Sequence, residues 1–280
     1  MARLGKNRYG KSRVRLSRIT RDPYHHDFNE WTVQVLLEGD FEASFTAADN
    51  SKVLPTDTMK NTVYYIARQS KATTIEEYAK ELGDYFLSNN PQVTKATIEV
   101  EEKAWERMVF DGIAQPATFK LGGPELNTVL ATREKSGSWS ITSGVDGLTI
   151  LKTTQSAFTG YIKDKLTTLK PTTDRIFGTR VTAKWEYASA SPDYSAVRAR
   201  IVTSLLKVFA SHDSKSVQHT LFDMGEAALK AAPEVARITM TMPNLHHLLA
   251  DLSPFGQDNP NHIFVPIDEP RGTIEATVER

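Results

Sequence analysis

Apolar and polar residues alternate along several segments of the chain, and this alternation predicts β-strands. In the segment 9–19, Val14 and Leu16 alternate with arginines, although Ile19 falls out of phase. A second extended segment, 31–45, is interrupted by Gly39-Asp40. Further strands are predicted over residues 94–110, 119–134, 138–151, 180–187, 237–242 and 263–278, the second of these being broken near its start by two glycines and a proline.

Elsewhere apolar residues recur at spacings of three and four, which predicts amphipathic helices. Thr73 with Glu76 fits a capping box, the start of a helix that extends to about Ser88. Pro192-Asp193 opens a second helix, and Ser216 can cap a third. Each half of the chain therefore has the order strands, helices, strands.

This order predicts an α+β fold with antiparallel sheets. A chain of 280 residues has room for two domains of roughly 100–150 residues, and we predict one unit over residues 1–137 and a second over 138–280. Antiparallel sheets have open edges, and pairing with identical subunits into a barrel is one way to close them.

The charge balance and the targeting signals limit which partners and which cellular location we expect for the protein. The chain has 34 basic and 34 acidic residues, so no global field attracts nucleic acid or an anionic membrane. The basic start, 3–21, could bind nucleic acid, but its charges alternate with apolar residues on a predicted strand and lack aromatic platforms, which favours a solvated strand face. Neither a membrane span, a secretory signal nor a Ser-Lys-Leu ending is present, so we expect a cytoplasmic protein.

The absence of certain residues and motifs from the sequence excludes several classes of functional site. The chain has no cysteine, which rules out disulfides, thiolate metal sites and cysteine nucleophiles. Phosphate-loop, dinucleotide and zinc-protease motifs are also missing. The pairs His25-His26 and His246-His247 could suggest a metal, but neighbours on a strand point to opposite faces and no third ligand has a useful spacing. No metal site is therefore predicted.

A set of short segments, each weak alone, becomes specific in combination. They are Tyr9-Gly10-Lys11, Thr56-Asp57-Thr58-Met59-Lys60-Asn61-Thr62, Gly147-Leu148-Thr149-Ile150-Leu151-Lys152, Thr173-Asp174-Arg175-Ile176, Ser216-Val217-Gln218 and Pro243-Asn244-Leu245-His246. In order and spacing the chain resembles urate oxidases over nearly its whole length. The resemblance implies the tunnelling fold, in which each of two tandem units is an antiparallel sheet with two helices and four subunits form a barrel. It also implies oxidation of urate by O₂ and water to 5-hydroxyisourate and hydrogen peroxide, with no cofactor.

The resemblance also assigns roles to residues that bind the substrate. Arg175 and Gln218 would hold the purine edge in a fork, because their donors and acceptor suit alternating carbonyl and N–H groups. Val217 would add its backbone N–H at a helix start that favours an anion, and Phe158 would stack on the ring. Asp57 would anchor urate through its backbone.

For catalysis the resemblance implies a pair, Lys11 and Thr56, that passes protons to and from bound urate. His246 would extend this relay, and Asn244 would hold oxygen or water above the ring. Thr56 and Asp57 would come from one subunit, and its neighbour would supply Phe158, Arg175 and Gln218.

Other interpretations remain open on the sequence alone. Taken singly, Lys11 is an ordinary surface lysine, Phe158 a core residue and Thr56-Asp57 a helix cap. A tunnelling-fold enzyme acting on a pterin is one alternative, although such relatives often use a Cys/His-bound metal and this chain has no cysteine. A purine-binding protein without catalysis is another, and it could lose Lys11 or Thr56. Departures from the family pattern occur at Thr159, at Leu166 and over 112–137.

Overall fold

The computed structural model describes residues 2–188, 191–267 and 269–280, and the chain divides into two compact units, Met1–Gly144 and Val145–Arg280. The first unit contains β1 (Tyr9–Arg21), β2 (His26–Gly39), α1 (Glu42–Thr46), α2 (Thr56–Gln69), α3 (Ile75–Asn89), β3 (Val93–Phe110) and β4 (Ile113–Glu134). Strand β5 (Ser140–Lys152) begins in the first unit and ends in the second. The second unit continues with β6 (Phe177–Tyr187), α4 (Tyr194–Ser211), α5 (Val217–Ala231), β7 (Val235–Leu249), a 3-10 turn (Ser253–Phe255), β8 (Phe264–Ile267) and β9 (Thr273–Glu279).

Each unit is an antiparallel sheet accompanied by helices, as the sequence predicted. The domain boundary proposed between residues 137 and 138 falls in the connection between β4 and β5 and stays a prediction. In the described residues, no helix is long and apolar enough to cross a membrane.

The edge strand β1 changes phase part of the way along. Lys11 pairs with Val35 and Val14 pairs with Val33, so β1 has one more residue than β2 between these pairs. This β-bulge includes Arg13, whose φ is 56°, a left-handed backbone that is uncommon outside glycine. Beyond it, Val14 is buried and Ile19 is exposed.

The first unit buries its core between the sheet and the helices α2 and α3. Trp31, whose ring stacks on Tyr78 at 4.6 Å between centroids, is 1% exposed. The capping box of α3 is formed by Thr74 and Glu77, so the predicted pair Thr73 and Glu76 was wrong by one residue. The physical reason is that the Glu76 carboxylate turns inward, is 1% exposed and accepts a hydrogen bond from Ser143 Oγ at 2.5 Å.

Two strand predictions in this unit also need correction. The strand predicted over 31–45 ends at Gly39, and Phe45 lies in the short helix α1. Strand β4 starts before the predicted 119 and is continuous through Gly122-Gly123-Pro124. Those residues form an irregularity in the ladder, because the pairing steps from Lys103 with Leu126 to Trp105 with Leu121. The interruption seen in the sequence is therefore a bulge within one strand.

The second unit packs α4 and α5 on its own apolar core. Asp193 caps α4 by accepting from Ala196 N at 3.0 Å, as predicted. The largest side chain in the core is Trp185, which is fully buried and donates through Nε1 to Tyr187 Oη at 2.9 Å. Strand β7 pairs with β6, β8 and β9, all antiparallel. The single strand predicted over 263–278 was wrong, because this segment forms two strands that contact different parts of β7.

Candidate functional site

A cavity of about 890 Å³ opens in the second unit. Its walls include six residues that the sequence analysis selected: Phe158, Arg175, Val217, Gln218, Asn244 and His246. They come from a loop between β5 and β6, from the start of α5 and from β7. Residues distant in the sequence therefore converge on one concave surface of a size suited to a small molecule.

Phe158 and Arg175 form one wall of the cavity. The backbone of Phe158 exchanges hydrogen bonds with Thr172, at 2.8 and 3.1 Å, and this bridge brings the following Arg175 close to the ring. The Arg175 Cζ atom lies 5.5 Å from the Phe158 ring centroid. Burial lowers the pKa of the Arg175 guanidinium, which nevertheless stays charged because its pKa begins so high. The wall offers a flat apolar face beside a positive fork of donors.

The start of α5 forms a second wall. Ser216 caps the helix by accepting from His219 N at 3.1 Å, as predicted. Val217 and Gln218 then occupy the first turn, where backbone N–H groups have no acceptor within the helix. Val217 is buried and Gln218 is exposed to the cavity. This arrangement presents N–H groups and a neutral amide to an anionic ligand.

Strand β7 contributes Asn244 and His246 to the same cavity. They are two residues apart on one strand and so project to the same face, with Asn244 Nδ2 3.4 Å from His246 Nδ1. Burial, and secondly the positive charge of Arg175, lower the pKa of His246 below its usual 6.5. The imidazole is therefore neutral near pH 7 and can either accept or donate a proton.

The remaining candidates, Lys11, Thr56 and Asp57, lie together in the first unit. Tyr9 organises this group, because its hydroxyl donates to Leu54 O at 3.1 Å and accepts from Leu54 N at 2.8 Å. These bonds fix the chain just before Thr56, the first residue of α2. Lys11 follows Tyr9 by two residues on β1 and shares its face of the sheet.

Neighbouring positive charges lower the pKa of the Asp57 carboxyl group. The Lys60 ammonium, which forms an ion pair with the carboxylate, is the main cause that lowers the pKa of Asp57, and Asn61 and Lys11 act in the same direction. The backbone N–H of Asp57 lies in the first turn of α2, where such groups have no acceptor within the helix. The N-cap position of α2 is occupied by Pro55, and Thr56 is the first residue inside the helix. Thr56 is exposed and does not cap the helix, so the ordinary interpretation of Thr56 as a helix cap does not apply.

Sequence reasoning missed two features of the second unit. Tyr161 stacks on Phe158, with centroids 5.0 Å apart and planes at 12°, and the aromatic pair at a spacing of three was a signal that could have suggested it. A cluster of His212, His219 and Asp223 also forms between α4 and α5. Only the pair on α5, four residues apart, was visible in the sequence.

Comparisons with known proteins agree on one family. The family model described as Uricase matches residues 7–132 and 141–275. The uricase of Arthrobacter globiformis is 45% identical over 278 residues, which cover 99% of this chain and 90% of that relative. The uricase of Dictyostelium discoideum is 40% identical over 284 residues, covering 100% and 98%. The crystal structure of the Arthrobacter enzyme matches this chain with a TM-score of 0.94 and 42% identity, covering 100% of this chain and 96% of that one.

Proposed function

This chain belongs to the uricase family, and from that premise we propose how its residues oxidise urate. As a urate oxidase it is an oxidoreductase of purine degradation. In the proposed reaction urate gives two electrons to O₂, which takes up two protons and becomes hydrogen peroxide. Water supplies the hydroxyl group of 5-hydroxyisourate. Because urate is itself the electron donor, the proposal requires no metal and no flavin.

The observation that carries the proposal is the convergence of six selected residues on one cavity. Urate is a flat anion with alternating carbonyl and N–H groups. Arg175 would donate paired bonds to its edge, and Gln218 would both donate and accept. The Val217 N–H would complete the contact with the anion. Phe158 would stack on the purine, a contact worth about 1–3 kcal/mol for a base on an aromatic ring.

The chemical step needs proton transfer and a defined place for oxygen or water. Lys11 and Thr56 would form the catalytic pair that carries protons to and from urate, with Asp57 holding the substrate through its backbone. A neutral His246 can extend the relay, since its pKa lies below 6.5. Asn244, which lies 3.4 Å from His246, would bind O₂ or water above the ring.

We further propose that the working form is a homotetramer in the cytoplasm. The Lys11 group of one subunit would meet the Phe158 and Arg175 wall of a neighbour, so that each site is complete only after assembly. A dilution series followed by light scattering tests this directly. Activity should fall with the tetramer, and full activity in a proven monomer would overturn the shared site.

The test of the overall function is the loss of urate absorbance in the near ultraviolet, with chelator-treated protein in air-saturated buffer. Loss of the signal together with stoichiometric peroxide is the expected result. Urate that binds without being consumed would favour a purine-binding protein, and the absence of both binding and turnover would reject the proposal.

A further inference from the structure

A compact group of metal-ligating side chains lies at the junction of α4 and α5. His212 is the residue that ends α4, while His219 and Asp223 are four residues apart on α5. Residues at this spacing on a helix lie on the same face. One potential ligand atom from each residue lies within 4.8 Å of the other two. None of the three lines the cavity described above.

The distances within the group are close to those of a metal site. Asp223 Oδ2 lies 3.0 Å from His212 Nδ1 and 3.7 Å from His219 Nε2. In tetrahedral zinc sites, bonds of about 2.0–2.2 Å place neighbouring ligand atoms about 3.3–3.6 Å apart. The three side chains could therefore reach a common ion through small rotations. Two imidazoles and one carboxylate form a donor set that zinc uses, with the remaining position open to water.

His212 is the most enclosed member of the cluster. Its side chain is 11% exposed, and its ring lies edge-on to the ring of His219, with centroids 4.5 Å apart. Its Nδ1 atom, 3.0 Å from Asp223 Oδ2, is the ring nitrogen that faces the carboxylate of the cluster.

The positive charge of Lys152 would repel a cation bound at the cluster, and its own contacts partly offset that repulsion. Its ammonium donates to the backbone carbonyl of His212 and faces the ring of Phe209 at 5.6 Å. The carboxylate of Asp223 lies against both imidazoles and supplies the compensating negative charge. The cluster therefore has the charge, as well as the donors, for a divalent ion.

We propose that His212, His219 and Asp223 form a Zn²⁺ site that joins the end of α4 to the first turns of α5. The site is separate from the urate cavity. No step of the proposed oxidation depends on the bound ion. Its occupancy would link two helices whose connection contains the Ser216 cap, and it would stabilise this part of the second unit by mass action.

Isothermal titration of chelator-treated, tag-free protein with Zn²⁺ tests the site, and Co²⁺ absorption in the visible region reports its coordination. We expect one ion per chain. His219→Ala and Asp223→Asn change partly exposed side chains and should each weaken binding at least tenfold, with circular dichroism showing that both variants remain folded.

His25→Ala is the matched control. His25 is also a partly exposed histidine near a carboxylate, 3.6 Å from Asp22, but it lies in the first unit. This variant should bind Zn²⁺ as the parent does. The inference would be overturned by a parent protein that takes up no ion, or by folded His219→Ala and Asp223→Asn variants that bind as tightly as the parent.

Discussion

The guanidinium carbon of Arg175 lies 5.5 Å from the centre of the Phe158 ring, which makes the positive fork and the stacking surface parts of one wall. The two residues are linked through the backbone bridge between Phe158 and Thr172. A flat anion can therefore contact both at once, and the first prediction tests the fork.

Arg175→Lys keeps the positive charge but removes the planar pair of donors. We expect kcat/KM for urate to fall roughly 10- to 100-fold, since a hydrogen bond to a charged group contributes about 1.5–3 kcal/mol. Steady-state kinetics measure the change. Arg237→Lys, at an exposed ion pair with Glu186, is the control and should behave as the parent. Unchanged kinetics for Arg175→Lys would contradict the proposed contact.

Lys11→Met should lower kcat by about 10²- to 10⁴-fold, the usual range for general acid–base catalysis, with little change in urate affinity. Thr56→Val should act in the same direction. Because the two residues form one relay, the double variant should be little worse than the poorer single one. Lys52→Met removes an exposed lysine paired with Asp40 and serves as the control. Full turnover in Lys11→Met would reject the assigned mechanism.

The lowered pKa of His246 predicts how the stability of the folded protein changes with pH. The folded protein binds this proton less readily than the unfolded chain, so the residue's contribution to stability is lost as the pH falls from 6.5 towards the folded value. Histidine-selective NMR titration should give a pKa below 6.5, and Arg175→Gln should raise it. Arg237→Gln should leave it unchanged. A value of 6.5 or above in the parent would contradict the prediction.

Ser216→Ala removes the cap of α5 and should reduce the free energy of unfolding by about 1 kcal/mol. It should also raise KM for urate, because Val217 and Gln218 occupy the turn that the cap fixes. Denaturant unfolding and steady-state kinetics measure the two effects. Ser211→Ala, at the exposed end of α4, should change neither quantity appreciably. Loss of stability with unchanged KM would separate the cap from substrate binding.

The sequence predicted elements best where local periodicity decides the structure. The apolar stripe of α3 and the Asp193 and Ser216 caps were correct because caps depend on neighbouring residues. Boundaries failed where distant partners decide them. The capping box moved to Thr74 because Glu76 is drawn inward by Ser143, a contact that no local pattern contains.

In the candidate site, too, the sequence identified some residues and missed others that only the packed structure brings together. A resemblance selected six residues that converge on one cavity, although their roles in urate oxidation remain predictions. The cluster of His212, His219 and Asp223 was missed because it forms only when α4 and α5 pack. Metal-site patterns rely on spacing along the chain, and His212 lies just after α4, outside the helix that carries the other two.

The bulge in β1 has a consequence for insertions and deletions. Lys11 and Val14 are three positions apart, so an unbroken strand would turn them to opposite faces. The extra residue lets both lie on the face of Val33 and Val35, which is also the face of Tyr9. Deleting Arg13 would turn the lysine outward without altering any side chain of the proposed relay. If Lys11 acts as proposed, activity depends on the number of residues in this strand, which a comparison of site residues alone would overlook.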